Sequence, residues 1–461
     1  MFDSLFGNPV FQNFATQRPV AVTAQMILRR LLDPDAVDEL FRENAELQYE
    51  RSLLFSAIAR MMSSVTLGTH RSVNAAFRKM RDEIGVSITA VYNKLQRIEP
   101  QITTAMVRHA YQRTIEVVRQ IGSVKNHDIP GIVTRILDGN HLSKTEHRIR
   151  ETRNLVAGPL PGKSLVVFDP RYDAISDMFP IEDGYAQELS ALDEVIDTIV
   201  RDELWIADRN FCTLKLMYTI ILKHAYFAIR QHGKLQGTIC GKLKKVGKTQ
   251  TAEIFENCLE LPAYDGQTKR VRRIVVRLKE PTRDGDCELV VLTNLPAAKA
   301  DAVQVSELYR SRWRIETAFM HMTLSLNCEV NTLCYPPAAL FCFGTALVGY
   351  NAISIIKALV TRTFGRDQTE SLSHYYVAAE ISETTDGLLL AVPEGNWLDC
   401  VEADADEFAA RLLEIVASMD MATYRKSVRG PKKPPPKKKG NKRTVHVSTK
   451  RILDKRKQNT C

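Results

Sequence analysis

Tyr309-Arg310-Ser311-Arg312-Trp313-Arg314-Ile315-Glu316 is the stretch on which the reading of this chain turns. Its spacing predicts a helix in which Tyr309, Arg312 and Glu316 share one face. Leu308, Ile315, Phe319, Met322 and Leu326 recur on an opposite, apolar stripe that would anchor the helix in a core. A lone acid on such a helix is ordinarily a solvated surface group. Glu316 gains interest because two upstream aspartates, Asp138 and Asp208, can join it.

Both aspartates close short apolar runs. Residues 132–137 form a β-branched run ending on Asp138, and 204–207 form another ending on Asp208. Between them lie two further strand candidates, 164–168 and 174–179, and a helical pattern at 186–200. Beyond Asp208, 213–222 reads as helix and 224–229 as strand. From 234 to about 300 short strands alternate with turns such as Asp265-Gly266 and Asp284-Gly285, the pattern of a β-rich insertion. The Glu316 helix follows, and then an uncharged stretch from Cys334 to Ile356. That stretch is long enough to span a membrane. However, Pro336 and Pro337 open it, Tyr350 and Asn351 interrupt it, and it is solitary, so a buried core helix is the expectation.

The N-terminal 130 residues read as mostly helical, with helical spacing at 37–47 and 50–62. Within them, 73–98 has the outline of a helix-turn-helix. Ala75, Ala76, Met80 and Ile84 mark one helix, Gly85 permits the turn, and Ser87 caps a second helix with Ile88, Val91 and Leu95 inside. Thr89, Asn93, Lys94 and Arg97 would then be exposed, residue types that contact bases and phosphates. An ordinary helical hairpin has the same outline.

The chain has 461 residues, enough for about two or three domains. Its net charge of +9 is a property of one end. From Arg425 onward there are 15 Lys and Arg against Asp454 alone, so the preceding residues carry −5. Pro431-Lys432-Lys433-Pro434-Pro435-Pro436-Lys437-Lys438-Lys439-Gly440 has no capacity for a packed core, and 426–461 is expected to be a disordered basic tail with nonspecific affinity for phosphate. Nine cysteines lack any metal-ligand spacing, and no secretory signal opens the chain, so a cytoplasmic protein with reduced thiols is expected.

Three carboxylates meeting at one point repel unless cations neutralise them. Asp138, Asp208 and Glu316 are hard oxygen donors suited to Mg²⁺ or Mn²⁺, and two such ions can carry an in-line phosphoryl displacement. Arg312 and Tyr309 are suited to a neighbouring phosphate. Periodicity alone leaves open whether the acids converge.

Tyr309, Arg312 and Glu316, with Trp313 after the arginine, resemble the Y-R-E-K signature of DDE transposases of the insertion-sequence-4 family. Leu137-Asp138-Gly139 is similar to the segment around that family's first aspartate. Trp205-Ile206-Ala207-Asp208-Arg209-Asn210-Phe211 is similar to the segment around its second. The resemblance covers roughly 130–360. It implies an α/β chain with a ribonuclease-H-like catalytic core (131–233 and 301–360) interrupted by the β-rich insertion (234–300). The helical N-terminal domain (1–130) would precede this core, and a helical region (361–425) would follow it. It also implies Asp138, Asp208 and Glu316 as catalytic ligands of two Mg²⁺ or Mn²⁺ ions, with Tyr309 and Arg312 on DNA phosphate. The partners would be double-stranded DNA (element ends and target) and a second copy of the chain, with no membrane. The reaction would be cut-and-paste transposition of a bacterial insertion sequence through a hairpin. There is one departure. The family's lysine would stand at Thr323, which can donate a hydrogen bond but carries no charge. A catalytically inactive, DNA-binding descendant therefore stays open as the alternative, as does a ribonuclease-H-like nuclease of another family.

Overall fold

The apolar run before Asp138 becomes strand β1 (Val133–Leu142), which continues past the aspartate rather than ending on it. In the computed structural model the residues described are 3–48, 52–125, 129–142, 149–154, 158–282, 285–427, 430 and 446–458. Glu50, Asp284 and the lysine–proline run 431–440, all used in the sequence reading, lie outside them. The other strands follow in order. They are β2 (Gly158–Leu160), β3 (Gly162–Asp169), β4 (Ala174–Ile181), β5 (Glu203–Ala207), β6 (Tyr226–Arg230), β7 (Thr238–Lys248), β8 (Ala252–Glu260), β9 (Arg270–Leu278), β10 (Glu288–Thr293) and β11 (His446–Ser448).

Among the described residues, nine strands join one sheet in the order β4-β3-β1-β5-β6-β10-β9-β8-β7. β3 runs antiparallel to both β4 and β1, while β1, β5 and β6 run parallel. This is the ribonuclease-H-like arrangement. The β-rich stretch is not a separate body. β10 pairs antiparallel with β6, and β9, β8 and β7 extend the same sheet as a meander. The free edge of β6 offers unpaired backbone groups, and β10 satisfies them.

The two faces of the sheet bury different sets of side chains, because successive residues of a strand point to opposite sides. Ile136, Leu204 and Ile206 join the large apolar cluster, whereas Leu137, Trp205 and Ala207 join a smaller one. The helices Leu192–Thr198 and Leu214–Leu222 belong to the smaller side. The helices Ala302–Arg310 and Trp313–Ser325 and the long helix Pro336–Phe364 belong to the larger. The uncharged stretch is thus a core helix, and its most apolar 18-residue window is wholly buried.

The N-terminal region is helical, from Asp3–Phe6 to Pro100–Ile121. It shares one apolar cluster with the helices after residue 336, so Val22, Phe55 and Ile102 pack in the same core as Phe341, Val377 and Leu412. Buried Glu380 ties three distant segments together. It accepts from the Ala21 N–H at 3.0 Å and from the Tyr424 hydroxyl at 2.5 Å.

Two expectations change. The octapeptide is not one helix, since Ala302–Arg310 ends and Trp313–Ser325 begins across Ser311-Arg312. Ser311 Oγ donates to Leu308 O at 2.6 Å, and the backbone there tightens to i→i−3 bonds, Arg312 N to Tyr309 O at 3.1 Å and Arg314 N to Ser311 O at 3.0 Å. The end of the basic tail is also structured. β11 pairs parallel with β2, and Thr449–Gln458 is a helix. Lys450 pairs with Glu182 at 3.0 Å, Arg451 with Asp183 at 2.7 Å and Arg456 with Glu151 at 2.6 Å. Charge complementarity to the sheet edge orders residues that composition alone marks as solvated.

Candidate active site

β1 and β5 are in parallel register with Leu137 opposite Ala207, so Asp138 and Asp208 stand side by side just past that pairing. Asp208 has extended backbone (φ −77°, ψ −177°) and keeps the alternation of β5. Its side chain therefore falls on the same face as Ile206, as that of Asp138 falls with Ile136. That face is covered by the Trp313–Ser325 helix, whose Ile315, Ala318 and Met322 are buried against it. Glu316 lies in the first turn of this helix and is half-buried. Strand register and helix position thus put the three predicted acids within reach of one another's charge.

Arg312 links two of them. Its Nη1 donates to Asp138 Oδ2 at 2.9 Å and its Nη2 to Glu316 Oε1 at 2.6 Å. Its Nε is buried without a hydrogen-bond partner in the described structure. An unmatched buried donor of this kind costs about 1–3 kcal/mol. Asp138 Oδ1 accepts from the Gly139 N–H at 2.9 Å, and Asp208 Oδ1 from the Asn210 N–H at 2.7 Å. Burial pushes Asp138 up to about 7. Arg312 and the Gly139 N–H pull against it, and the charges of Asp208 and Glu316 add to it. The pocket is short of positive charge even with the guanidinium in place.

Among the described residues no three Asp, Glu, His or Cys side chains are grouped closely enough to hold a metal ion. Arg312 sits between the carboxylates of Asp138 and Glu316. The donor chemistry nevertheless fits a divalent hard cation, with carboxylate oxygens, a raised Asp138 and mutual repulsion that such an ion would relieve.

The other candidates behave differently. Tyr309 is buried, and burial pushes its hydroxyl up to about 12 while Arg312 pulls the other way. It supports the arginine from below instead of facing solvent. Thr323 is exposed, and its hydroxyl donates back to Phe319 O at 2.9 Å. Lys215, a conceivable substitute for the missing lysine, pairs with Asp193. Of the three tryptophans, Trp205 (3% exposed) and Trp397 (1%) are core, and Trp313 is 59% exposed with the Arg312 guanidinium 5.4 Å from its ring centre. The sequence left that choice open. A further acid, Glu188, went unnoticed. Its carboxylate occupies the space a Cβ at Gly139 would take, with Oε1 2.4 Å from that position. Gly139 points to the face opposite Asp138, so Glu188 lies across the strand from the three acids. The glycine after Asp138 was the available signal.

The 73–98 element has the expected turn and cap, but its first helix is broken at Met80 and Arg97 lies in the turn after the second. Val73–Lys79 and Arg81–Ile84 precede Gly85 (φ 63°), and Ser87 caps Ile88–Leu95 by accepting from Ala90 N. Thr89, Asn93 and Arg97 are exposed. Lys94 is half-buried, with its ammonium 4.0 Å from the centre of the Phe41 ring.

Residues 130–334 match the family model of the transposase DDE domain. All three acids and Arg312 fall inside the matched segment. No curated protein matches the sequence. Among solved structures, a cryo-EM structure of a piggyBac transposase synaptic complex with hairpin DNA is similar over 95% of this chain and 86% of that one, at 9% identity and a TM-score of 0.36.

Proposed function

We propose that the protein is a DDE transposase of the insertion-sequence-4 type. It would bind the terminal inverted repeats of an element, cut a strand at each end and join the freed 3′-end to target DNA. The observation that carries this reading is the Arg312 guanidinium bridging Asp138 and Glu316, with Asp208 close enough to act on Asp138 by its charge, within a segment similar to transposase DDE domains. Asp138, Asp208 and Glu316 would hold Mg²⁺ or Mn²⁺. When bound, such ions activate a water or 3′-hydroxyl and stabilise the leaving oxygen.

The remaining work falls to the chain's own groups. Arg312 neutralises the acids in the free protein. Near a phosphodiester it has donors on both Nη atoms and an unused Nε, a fork that matches phosphate oxygens. Tyr309 packs beneath and limits where the guanidinium can go. Exposed Trp313 offers a flat surface to an unpaired base beside the cut. Thr89 and Asn93 on the second helix of the 73–98 pair, with Arg97 in the turn that follows it, would read the terminal repeat. A dimer would hold two ends together, and the cut ends would pass through a hairpin.

The test is strand cleavage with Mg²⁺ or Mn²⁺ on DNA carrying the inverted repeats that flank the gene. Asp208→Asn should lose cleavage and keep DNA binding; equal cleavage by that variant would sink the assignment. A second reading, a DNA-binding protein without catalysis, is favoured by the uncharged Thr323 and the closed Asp138–Arg312–Glu316 bridge. It requires that the wild type bind the repeats and cut nothing with either ion.

A further inference from the structure

Asp173 occupies the turn between β3 and β4 with a positive φ of 55°. Its carboxylate is held from two helices. Lys357 of the long core helix donates to Oδ2, and Arg314 Nη2 donates to Oδ1 at 3.2 Å. Arg314 also reaches Pro170 O at 2.8 Å, and Ser354 Oγ donates to Asp173 O at 2.7 Å. One cation would suffice to staple this turn to the core, yet more than one gathers. Lys125, which follows the Pro100–Ile121 helix, brings its charge within electrostatic reach of Asp173, and Arg366, at the start of the Arg366–Ser371 helix, lies within reach of Lys125. The side chains of Lys125 and Arg366 are exposed, and neither has a carboxylate at ion-pair distance among the described residues.

Gathering four cations from four segments in one neighbourhood with one acid is unfavourable without a further anion. Burial, followed by Lys357 and His321, pushes His374 down to about 2, so this buried imidazole stays neutral with its Nδ1 unpartnered. Arg314 lies two residues beyond Arg312, about 200° further round the helix, so the cationic group flanks the acids from the far side of the same element. Trp313 is exposed between them.

We propose that Lys125, Arg314, Lys357 and Arg366 form a binding site for a phosphodiester of duplex DNA, separate from the carboxylate site. Lys357 and Arg314 are fixed by Asp173 and supply a preset positive floor. Lys125 and Arg366 supply the mobile contacts. The ligand is a backbone phosphate, so the site carries no base preference and adds affinity to any duplex that runs past the acids. This inference rests on the reading of the protein as a DNA-acting enzyme.

The experiment uses the full chain and a short fluorescein-labelled duplex, with anisotropy measured over a salt series. The double variant Lys125→Gln/Arg366→Gln spares the two cations that touch Asp173. Each phosphate contact contributes about 0.9 to the slope of log K against log salt, so the variant should lose about 1.8 from it. Its thermal midpoint should match the wild type, because both side chains are exposed. A wild type that binds with a clear salt slope, together with a folded double variant of the same slope, would overturn this site and leave the transposase reading standing. A wild type that binds no duplex at all would overturn the transposase reading itself. Addition of inorganic phosphate separates the sources. If millimolar phosphate, at about the level of the salt steps, abolishes the difference between the two proteins, the site prefers the free ion and the duplex assignment fails.

Discussion

The Arg312 Nη1 donates to Asp138 Oδ2 across 2.9 Å, joining residues 174 apart in the chain. The same guanidinium grips Glu316 one helical turn away. The arginine thus supplies the charge that a divalent ion would supply at this point.

Arg312→Gln tests that relationship. Without DNA, the variant should bind Mn²⁺ more tightly than the wild type in calorimetry, because the carboxylates no longer have a resident cation. With DNA, cleavage should fall on the order of 10²–10³-fold, the usual cost of removing one donor from a developing charge. Unchanged Mn²⁺ affinity would mean that the guanidinium does not compete for the acids.

Asp138 makes a pH prediction with an unusual sign. Its value is raised from 3.8 to about 7, so its contribution to stability is fully present below the ordinary value and is lost as pH climbs through about 7. In chelator, Asp138→Asn should therefore melt above the wild type at about pH 8, and the two should converge below about pH 4. A variant that is less stable at high pH would show that the Arg312 contact outweighs burial.

Asp169 has the opposite sign. It is fully buried, accepts from Tyr111 Oη at 2.6 Å, Arg135 Nη1 at 2.9 Å and Arg171 Nη2 at 2.8 Å, and links the Pro100–Ile121 helix to the sheet. Burial pushes its value up, but the Arg171 hydrogen bond and the Arg135 and Arg171 charges outweigh it, so the net value is lowered. Its stability contribution is present above the ordinary value of 3.8 and is lost as pH falls below it. Asp169→Ala leaves Arg135 paired with Glu203 at 2.9 Å but removes a buried carboxylate shared by Arg135, Arg171 and Tyr111, and should cost about 3–5 kcal/mol in urea unfolding at neutral pH.

Trp313→Ala should leave stability within about 0.5 kcal/mol, as expected for a surface position. Binding to a duplex with one unpaired base at the cut site should weaken by about 1–3 kcal/mol, while a fully paired duplex binds as before. Equal weakening for both would assign Trp313 to the paired backbone.

On the second helix of the 73–98 pair and in the turn after it, Asn93→Ala and Arg97→Ala should each cost about 1–3 kcal/mol in binding to the terminal repeat, with no change in melting. Lys94→Ala is the contrasting case. It also removes a stack on Phe41 of about 0.5–1 kcal/mol, so its effect should appear partly in stability.

Much of the architecture was legible because it depends on local pattern. The β-branched run before Asp138 and the short apolar run before Asp208 became β1 and β5, the proline-opened uncharged stretch became the core helix Pro336–Phe364, and Gly85 with Ser87 placed the turn and cap of the helix pair. Local pattern failed where a distant partner decided the outcome. The 234–300 stretch joined the main sheet because β6 had an edge to pair, and residues 446–458 ordered because Glu151, Glu182 and Asp183 lay opposite their cations.

The site divides in the same way. Residue type and spacing were enough to single out Asp138, Asp208, Glu316 and Arg312, since carboxylates at strand ends and a helix face with an arginine are properties of the chain itself. Only the tertiary structure decided that Arg312 lies between two of the acids, that Tyr309 is buried beneath it, that Trp313 is the exposed tryptophan, and that Glu188 lies across β1. Those outcomes depend on which face of β1 and β5 a helix more than a hundred residues later covers. Periodicity specifies that a face is apolar, but not which partner buries it.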